Sequence, residues 1–197
     1  MIFMPKVAVV FANGCEEIEG LSVVDVLRRL NIETDMVGLT SKTITGAHNI
    51  LITCEKIVDN SLLDYDLVAF PGGSKGAENL RDSQELKDLM IKRHEEHKWN
   101  AAMCAAPIAL ARYGLLKDTD YTCYPGFDEQ TKAEAPTGRF YKNITVTDKT
   151  QKVITSRGPT TAWAYAYEIA EQLGVDTTQL KKDMLYNYLS ENIAQSL

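Results

Sequence analysis

Apolar and polar positions along the chain alternate between two periods, and together they predict a layered α/β protein. Residues 6–12 (K-V-A-V-V-F-A) form an unbroken, β-branched apolar run, the mark of a strand buried on both faces in a parallel sheet. Asn13-Gly14 breaks the run. Over residues 16–30 the apolar positions Ile18, Leu21, Val24, Val26 and Leu27 recur at mostly helical spacing, with Arg28 and Arg29 in the last turn. Residues 32–39 read as a second strand. Residues 43–52 alternate around Gly46 and Asn49 as a small hairpin, and residues 65–70 form a third buried strand that ends in Pro71-Gly72-Gly73. Residues 82–97 predict a polar helix with an apolar stripe of Leu86, Leu89 and Met90. Residues 99–103 predict a fourth core strand, with a helix after it that ends near Gly114. Further on, residues 121–123 are strand-like, 125–135 a brief helix and loop, and 140–147 and 152–156 strands. Residues 160–173 form a helix stopped by Gly174. Residues 177–193 predict one amphipathic helix that lays Leu180, Met184, Leu185, Tyr188, Leu189 and Ile193 on the body of the protein. Strands alternating with helices predict a doubly wound, mostly parallel sheet with a small hairpin, in a single domain over residues 1–197.

Composition narrows the function classes. A chain of 197 residues, 45% apolar and 24% charged, can bury a sizeable core. A net charge of −6 without a basic cluster argues against nucleic acid as the main partner. No run approaches the roughly 18 apolar residues of a membrane span, so no membrane partner is expected. The opening M-I-F-M-P-K-V lacks a signal-peptide layout. Cys15, Cys54, Cys104 and Cys123 form no C-x-x-C pair, which speaks against zinc and thioredoxin-type sites and fits a reducing, cytoplasmic setting.

The chemistry gathers at W-N-A-A-M-C-A-A-P-I-A-L, residues 99–110. A small apolar run stops at Cys104, alanines flank it, and Pro107 stands where a first helical turn accepts proline. This pattern suits a nucleophile elbow, in which a strained turn presents the reactive side chain between small neighbours. The helix start would aim N–H groups at the sulfur and lower its pKa from about 8.5. A buried core cysteine is the plainer reading. Doubly wound sheets place sites at the carboxyl ends of strands. Two more loops therefore converge on Cys104: Gly14 to Glu19, with Glu16, Glu17 and Glu19, and the P-G-G-S-K-G run with Gly72 and Gly73. Glu16 and Glu19 share a helix face, and spacing does not choose between them as an acid–base partner for the thiol. Backbone N–H groups of the glycine run, with that of Ala105, could form an oxyanion hole. The run matches neither nucleotide-binding glycine pattern, and no cofactor or metal is expected. His94 and His97 should face solvent on the polar helix. His48 in the hairpin is either a pocket or a turn residue, and Arg157 either binds an anion near the pocket or pairs on the surface. No histidine adjoins Cys104, which counts against an ordinary Cys–His–acid hydrolase.

Four segments resemble the ThiJ/PfpI superfamily in order, most closely its DJ-one branch: G-C-E-E-I-E-G at Gly14, P-G-G-S-K-G-A-E-N-L at Pro71, A-A-M-C-A-A-P at Ala101 and S-R-G-P-T-T at Ser156. The resemblance implies a flavodoxin-like sandwich and a homodimer through the helix near residues 16–30. It implies that Cys104 is the nucleophilic, oxidation-prone cysteine, that Glu19 is the protonated carboxyl beside it, and that Gly73 and Ala105 are the backbone donors. It further implies cofactor-free conversion of small aldehydes or dicarbonyls, of glyoxalase III or deglycase type. The alternatives it carries are a redox-sensing, chaperone-like role through Cys104 oxidation and, less favoured, amidase or peptidase activity. Tyr124 stands before Pro125 where many members carry histidine, and tyrosine, with a pKa near 10, is a poor base at neutral pH. His48 stands where animal members carry arginine. Tyr124, His48, Arg157 and Pro159 are the further pocket candidates. Protease-type members have a histidine after the cysteine, where this chain has Ala105.

Overall fold

The structure is a computed structural model that describes residues 4–196. Residues 1–3, part of the opening run read for a leader, and residue 197 lie outside it. Strand β1 (Lys6–Phe11) is followed by helix α1 (Glu17–Arg29), strand β2 (Glu33–Gly38), the hairpin strands β3 (Thr43–Thr45) and β4 (Leu51–Thr53), and β5 (Lys56–Ile57). A 3-10 turn at Asn60–Asp64 leads to β6 (Leu67–Phe70), α2 (Ser74–Arg81), α3 (Gln84–Glu95), β7 (Trp99–Met103) and α4 (Pro107–Arg112). Then come β8 (Asp120–Tyr121), α5 (Asp128–Glu134), β9 (Arg139–Phe140), β10 (Thr145–Asp148) and β11 (Val153–Ser156). Helices α6 (Ala162–Gln172), α7 (Thr178–Asp183) and α8 (Tyr186–Ser196) close the chain.

A seven-stranded sheet runs β10-β11-β7-β6-β1-β2-β5, parallel throughout except for the antiparallel edge strand β10. The continuous apolar runs become its central strands because both of their faces are covered: every residue of β6, β7 and β11 is buried, and so are all of β1 past Lys6. α1 packs against α6, and α2 against α4. The chain winds outward from β1 to β2 in one direction and from β6 to β7 and β11 in the other. The crevice at the reversal lies beyond the carboxyl ends of β1 and β6, where this architecture places ligands.

The flavodoxin-like α/β architecture matches the sequence reading, and several local features depart from it. Residues 140–147 do not form one strand. They divide into β9, which pairs with β8, and β10, which pairs with β11. Helix α2 and the edge strand β5 have no counterpart among the predicted elements; α2 begins inside a glycine-rich run that reads as loop, and β5 is two residues long. The tail is two helices, broken at Leu185, whose φ of 57° lies in the left-handed region. Before the break Met184 Sδ accepts from the Tyr167 hydroxyl, and the Tyr186 ring just after it packs at a tilt of 60° against Tyr167. Leu185, Tyr188, Leu189 and Ile193 stay exposed, so only part of the expected apolar face is covered. His97 is exposed, whereas His94 is half-buried.

Helix α3 also buries a charge. Arg93 is fully inaccessible and serves as a four-way clamp. It donates to the carbonyls of Leu62 (2.6 Å), Tyr65 (2.7 Å) and Trp99 (2.9 Å) and to Oδ1 of Asn100 (3.2 Å). Burial lowers its pKa to about 10, so it remains cationic at neutral pH. These acceptors belong to the turn before β6 and to the start of β7, so the guanidinium fixes the two strands that carry the site loops. Arg93→Met should cost about 3 kcal/mol or more, because it orphans several buried acceptors, and Arg93→Lys should fall between the two since it keeps the charge and loses the fork. Urea-denaturation midpoints measure this, and an unchanged midpoint for Arg93→Met refutes the clamp.

Candidate active site

Cys104 sits between β7 and α4 with φ of 60°, a left-handed conformation that is unfavourable for a side-chain-bearing residue. The strain is held from both sides. Its N–H donates to the Ser156 carbonyl (3.0 Å) at the end of β11, and its own carbonyl accepts from Tyr124 N–H (2.8 Å). Ala105 and Ala106 leave room for the turn, and Pro107 opens α4 at a position where its missing N–H costs nothing. The elbow expected from the sequence is therefore present, and Cys104 as a residue is 8% exposed.

Glu19 reaches the same place from the first turn of α1. It is fully buried, and its Oε2 accepts the Gly72 N–H at 2.6 Å. The carboxyl also lies beside the Cys104 thiol, close enough for each to shift the other's titration, and its Oε1 is buried without a hydrogen-bond partner. Gly72 is wedged between them: a Cβ there would stand 2.5 Å from the Cys104 Cβ and 2.8 Å from Glu19 Oε2. Gly73, at φ 82°, packs so tightly on the Gly14–Glu16 backbone that only glycine fits. The loops are sewn together by Glu16 N–H to the Gly72 carbonyl (2.9 Å) and Gly76 N–H to the Gly14 carbonyl (3.0 Å).

Electrostatically the two groups form one unit. Burial pushes the Glu19 carboxyl up to about 7, against the lowering effect of the Cys104 thiol and the Gly72 hydrogen bond. Burial and the neighbouring Glu19 charge hold the thiol above its ordinary value, and the Gly73 and Ala105 N–H groups pull it down by less. The expected depression of the thiol pKa by the helix start is thus overturned. The donors are in place, but desolvation and a carboxylate neighbour outweigh them. Because the groups lie side by side, they titrate as a pair. With one proton between them, thiol beside carboxylate and thiolate beside carboxylic acid are two forms of the same state, and this state prevails above about pH 7.

Above the sulfur opens a cleft of about 540 Å³, lined by Cys104, Ala105, Gly73, Glu16, His48, Tyr124 and Pro159. Gly14, Lys75 and Phe127 also line it, and the sequence reading did not place Lys75 or Phe127 there. Gly72 has its N–H taken by Glu19 and so does not serve as an oxyanion donor; Gly73 and Ala105 face the sulfur instead. Arg157 is not part of the lining. Its guanidinium lies over the Phe140 ring, 6.0 Å from the centroid, and contacts the Thr122 hydroxyl. Tyr124 is 43% exposed and rests edge-on against Phe127. Glu16, half-buried at the rim, does not compete with Glu19 for the thiol. Glu17 was only one of three acids in the sequence reading, and in the fold it is buried and holds His48: Oε1 accepts the His48 N–H (2.7 Å), and Oε2 is 2.8 Å from Nδ1. Glu16, Glu17 and His48 offer ligand atoms within 4.8 Å of one another among the described residues, a set already joined by these hydrogen bonds. Among the described residues no helix is long and apolar enough to cross a membrane.

Similarity to known proteins agrees with this geometry. The chain is 34% identical over 175 residues to the Parkinson disease protein 7 homolog of Danio rerio, covering 85% of this chain and 89% of that one. It is 32% identical to Drosophila melanogaster protein dj-1beta over 167 residues, 84% and 87% of the two chains. The crystal structure of Drosophila DJ-1beta superposes with a TM-score of 0.83 at 28% identity, covering 93% of this chain and 98% of that one. An oxidized Toxoplasma gondii DJ-1 superposes at 0.78 with 30% identity, covering 94% and 98%. The DJ-1/PfpI family model matches residues 5–172, and with the cysteine elbow and its buried carboxyl in place, the chain belongs to the DJ-1/PfpI family.

Proposed function

We propose that this protein converts small reactive dicarbonyls to hydroxy acids without a cofactor, as a glyoxalase III or deglycase-type enzyme. The observation that carries this reading is Cys104 in the lining of an open cleft, with the buried Glu19 carboxyl beside it and two backbone donors at the sulfur. The thiol adds to the aldehyde carbon as Glu19 takes its proton, and the carbonyl π pair moves onto an oxygen held by the Gly73 and Ala105 N–H groups. Glu19 hands that proton to the oxygen to give the hemithioacetal hydroxyl. Again a carboxylate, it carries a proton from the aldehyde carbon to its neighbour while the hydroxyl proton passes to the former ketone oxygen. This gives a thioester, and water releases the hydroxy acid. A carboxyl with a pKa near 7 suits both halves of that transfer.

A second reading rests on the same donors: Cys104 oxidised to a sulfinic acid, its new oxygens held by Glu19 and the backbone. The oxidized Toxoplasma relative supports it. Peptidase activity has no such support, since Ala105 follows the cysteine.

The apolar residues Ile18 and Leu21 of α1 are exposed, and Ile18 shares a groove of about 500 Å³ with Trp163, Leu189 and Ile193. This supports a homodimer through α1, the arrangement the family resemblance implies.

Methylglyoxal turnover should fall below detection in Cys104→Ala and about 10²–10⁴-fold in Glu19→Gln. Equal rates in all three proteins would sink the proposal. In the wild type kcat/KM should rise with pH through about 7, because below that point the pair holds two protons and has neither base nor thiolate. In Glu19→Gln that rise should disappear. Mild peroxide should add two oxygen atoms at Cys104 by intact mass, and a protein that gains none is not a redox sensor of this kind. Sedimentation should show a dimer for the wild type and a monomer for Ile18→Glu; a wild-type monomer rules out the α1 interface.

A further inference from the structure

The dicarbonyl chemistry needs proton traffic at two places. Glu19 serves the carbons, but the two substrate oxygens also gain and lose protons as the skeleton rearranges. Glu19 is fully buried behind Cys104, outside the cleft lining, and already accepts from Gly72. The rim carries a better candidate. His48 lines the cleft, and its Nδ1 is fastened to the Oε2 of Glu17 at 2.8 Å. The Glu17 side chain is only 2% exposed, and its Oε1 grips the His48 N–H at 2.7 Å, so the carboxylate fixes both the backbone and the ring. A buried carboxylate on Nδ1 sets the tautomer and leaves Nε2 as the working nitrogen.

We propose that His48 is the second proton-transfer group of the site, acting through Nε2 on the substrate oxygens, with Glu17 as its positioning residue. This rests on the dicarbonyl reading above. In the hemithioacetal, Glu19 carboxylate removes the proton from the sulfur-bearing carbon, and that bonding pair forms the carbon–carbon double bond. The ketone π pair moves onto its oxygen, which takes a proton from the His48 imidazolium. Glu19 then returns its proton to the former ketone carbon. The hydroxyl on the sulfur-bearing carbon gives its proton to neutral His48 as the thioester carbonyl forms. Both residues end as they began, and no oxidant or reductant enters. Glu17, together with Glu16 at 3.6 Å, favours the imidazolium with which the cycle starts. Lys75, which lines the same cleft, is drawn towards Glu78 at 3.1 Å.

The test uses the full chain with methylglyoxal. His48→Ala should lower kcat about 10²-fold with KM within about twofold, and added imidazole should restore a good part of it, which a merely structural histidine would not allow. The rate of Cys104 alkylation by iodoacetamide should stay at the wild-type value in His48→Ala, because His48 acts on the substrate and not on the thiol. Glu17→Gln should lower kcat in the same direction and move the His48 titration, followed by NMR, to lower pH. A wild-type kcat in His48→Ala overturns the inference while the dicarbonyl reading stands. Slowed alkylation or failure of imidazole rescue also overturns it. If the wild type turns over no dicarbonyl, both fall together.

Discussion

One buried carboxyl connects everything that matters in this molecule. Glu19 is carried by α1, accepts from the backbone after β6, and lies beside the thiol after β7, whose titration it shifts. Three strand ends that are far apart in the chain meet at that single side chain. A carboxyl in such a place is costly to ionise, and its position depends on the surrounding loops having no freedom to open and hydrate it. Gly72 and Gly73 provide that closeness, since either position with a side chain would push the loops apart. The poised proton is therefore a property of the packing as much as of the residue.

The same packing explains why the thiol is not simply acidic. A helix start and two backbone donors favour the thiolate, yet Cys104 is buried and lies beside an acid. In a desolvated setting those opposing effects do not cancel, and the carboxylate and the loss of water win. What results is a pair that shares a proton, in which neither partner has a useful pKa in isolation.

Much of this was legible from residue order. The buried strands declare themselves through unbroken β-branched runs, and the elbow through small residues around Cys104 with Pro107 at helical entry. The sequence alone left Glu16 and Glu19 level, because helical spacing puts both on one face. Only the depth of α1 against the sheet separates the rim residue from the buried one. Glu17 escaped notice as a functional residue because its partner, His48, lies 31 residues away in a hairpin outside the main sheet. Arg93 looked like one more charge on a polar helix, and its carbonyl acceptors are set by tertiary packing that no local period records. The division of residues 140–147 and the break at Leu185 depend on backbone turns that their side chains do not announce.

The hairpin of β3 and β4 contributes no strand to the seven-stranded sheet, and neither do β8 and β9 on the other side of the cleft. His48 and Tyr124 are borne by these two appendages, whereas Cys104, Glu19 and Gly73 are rooted in the core. Diversification can therefore proceed at the rim without disturbing the foundation. Exchanges in the appendages would retune which molecule is accepted, and the sulfur and its acid would pass unchanged from one specificity to the next.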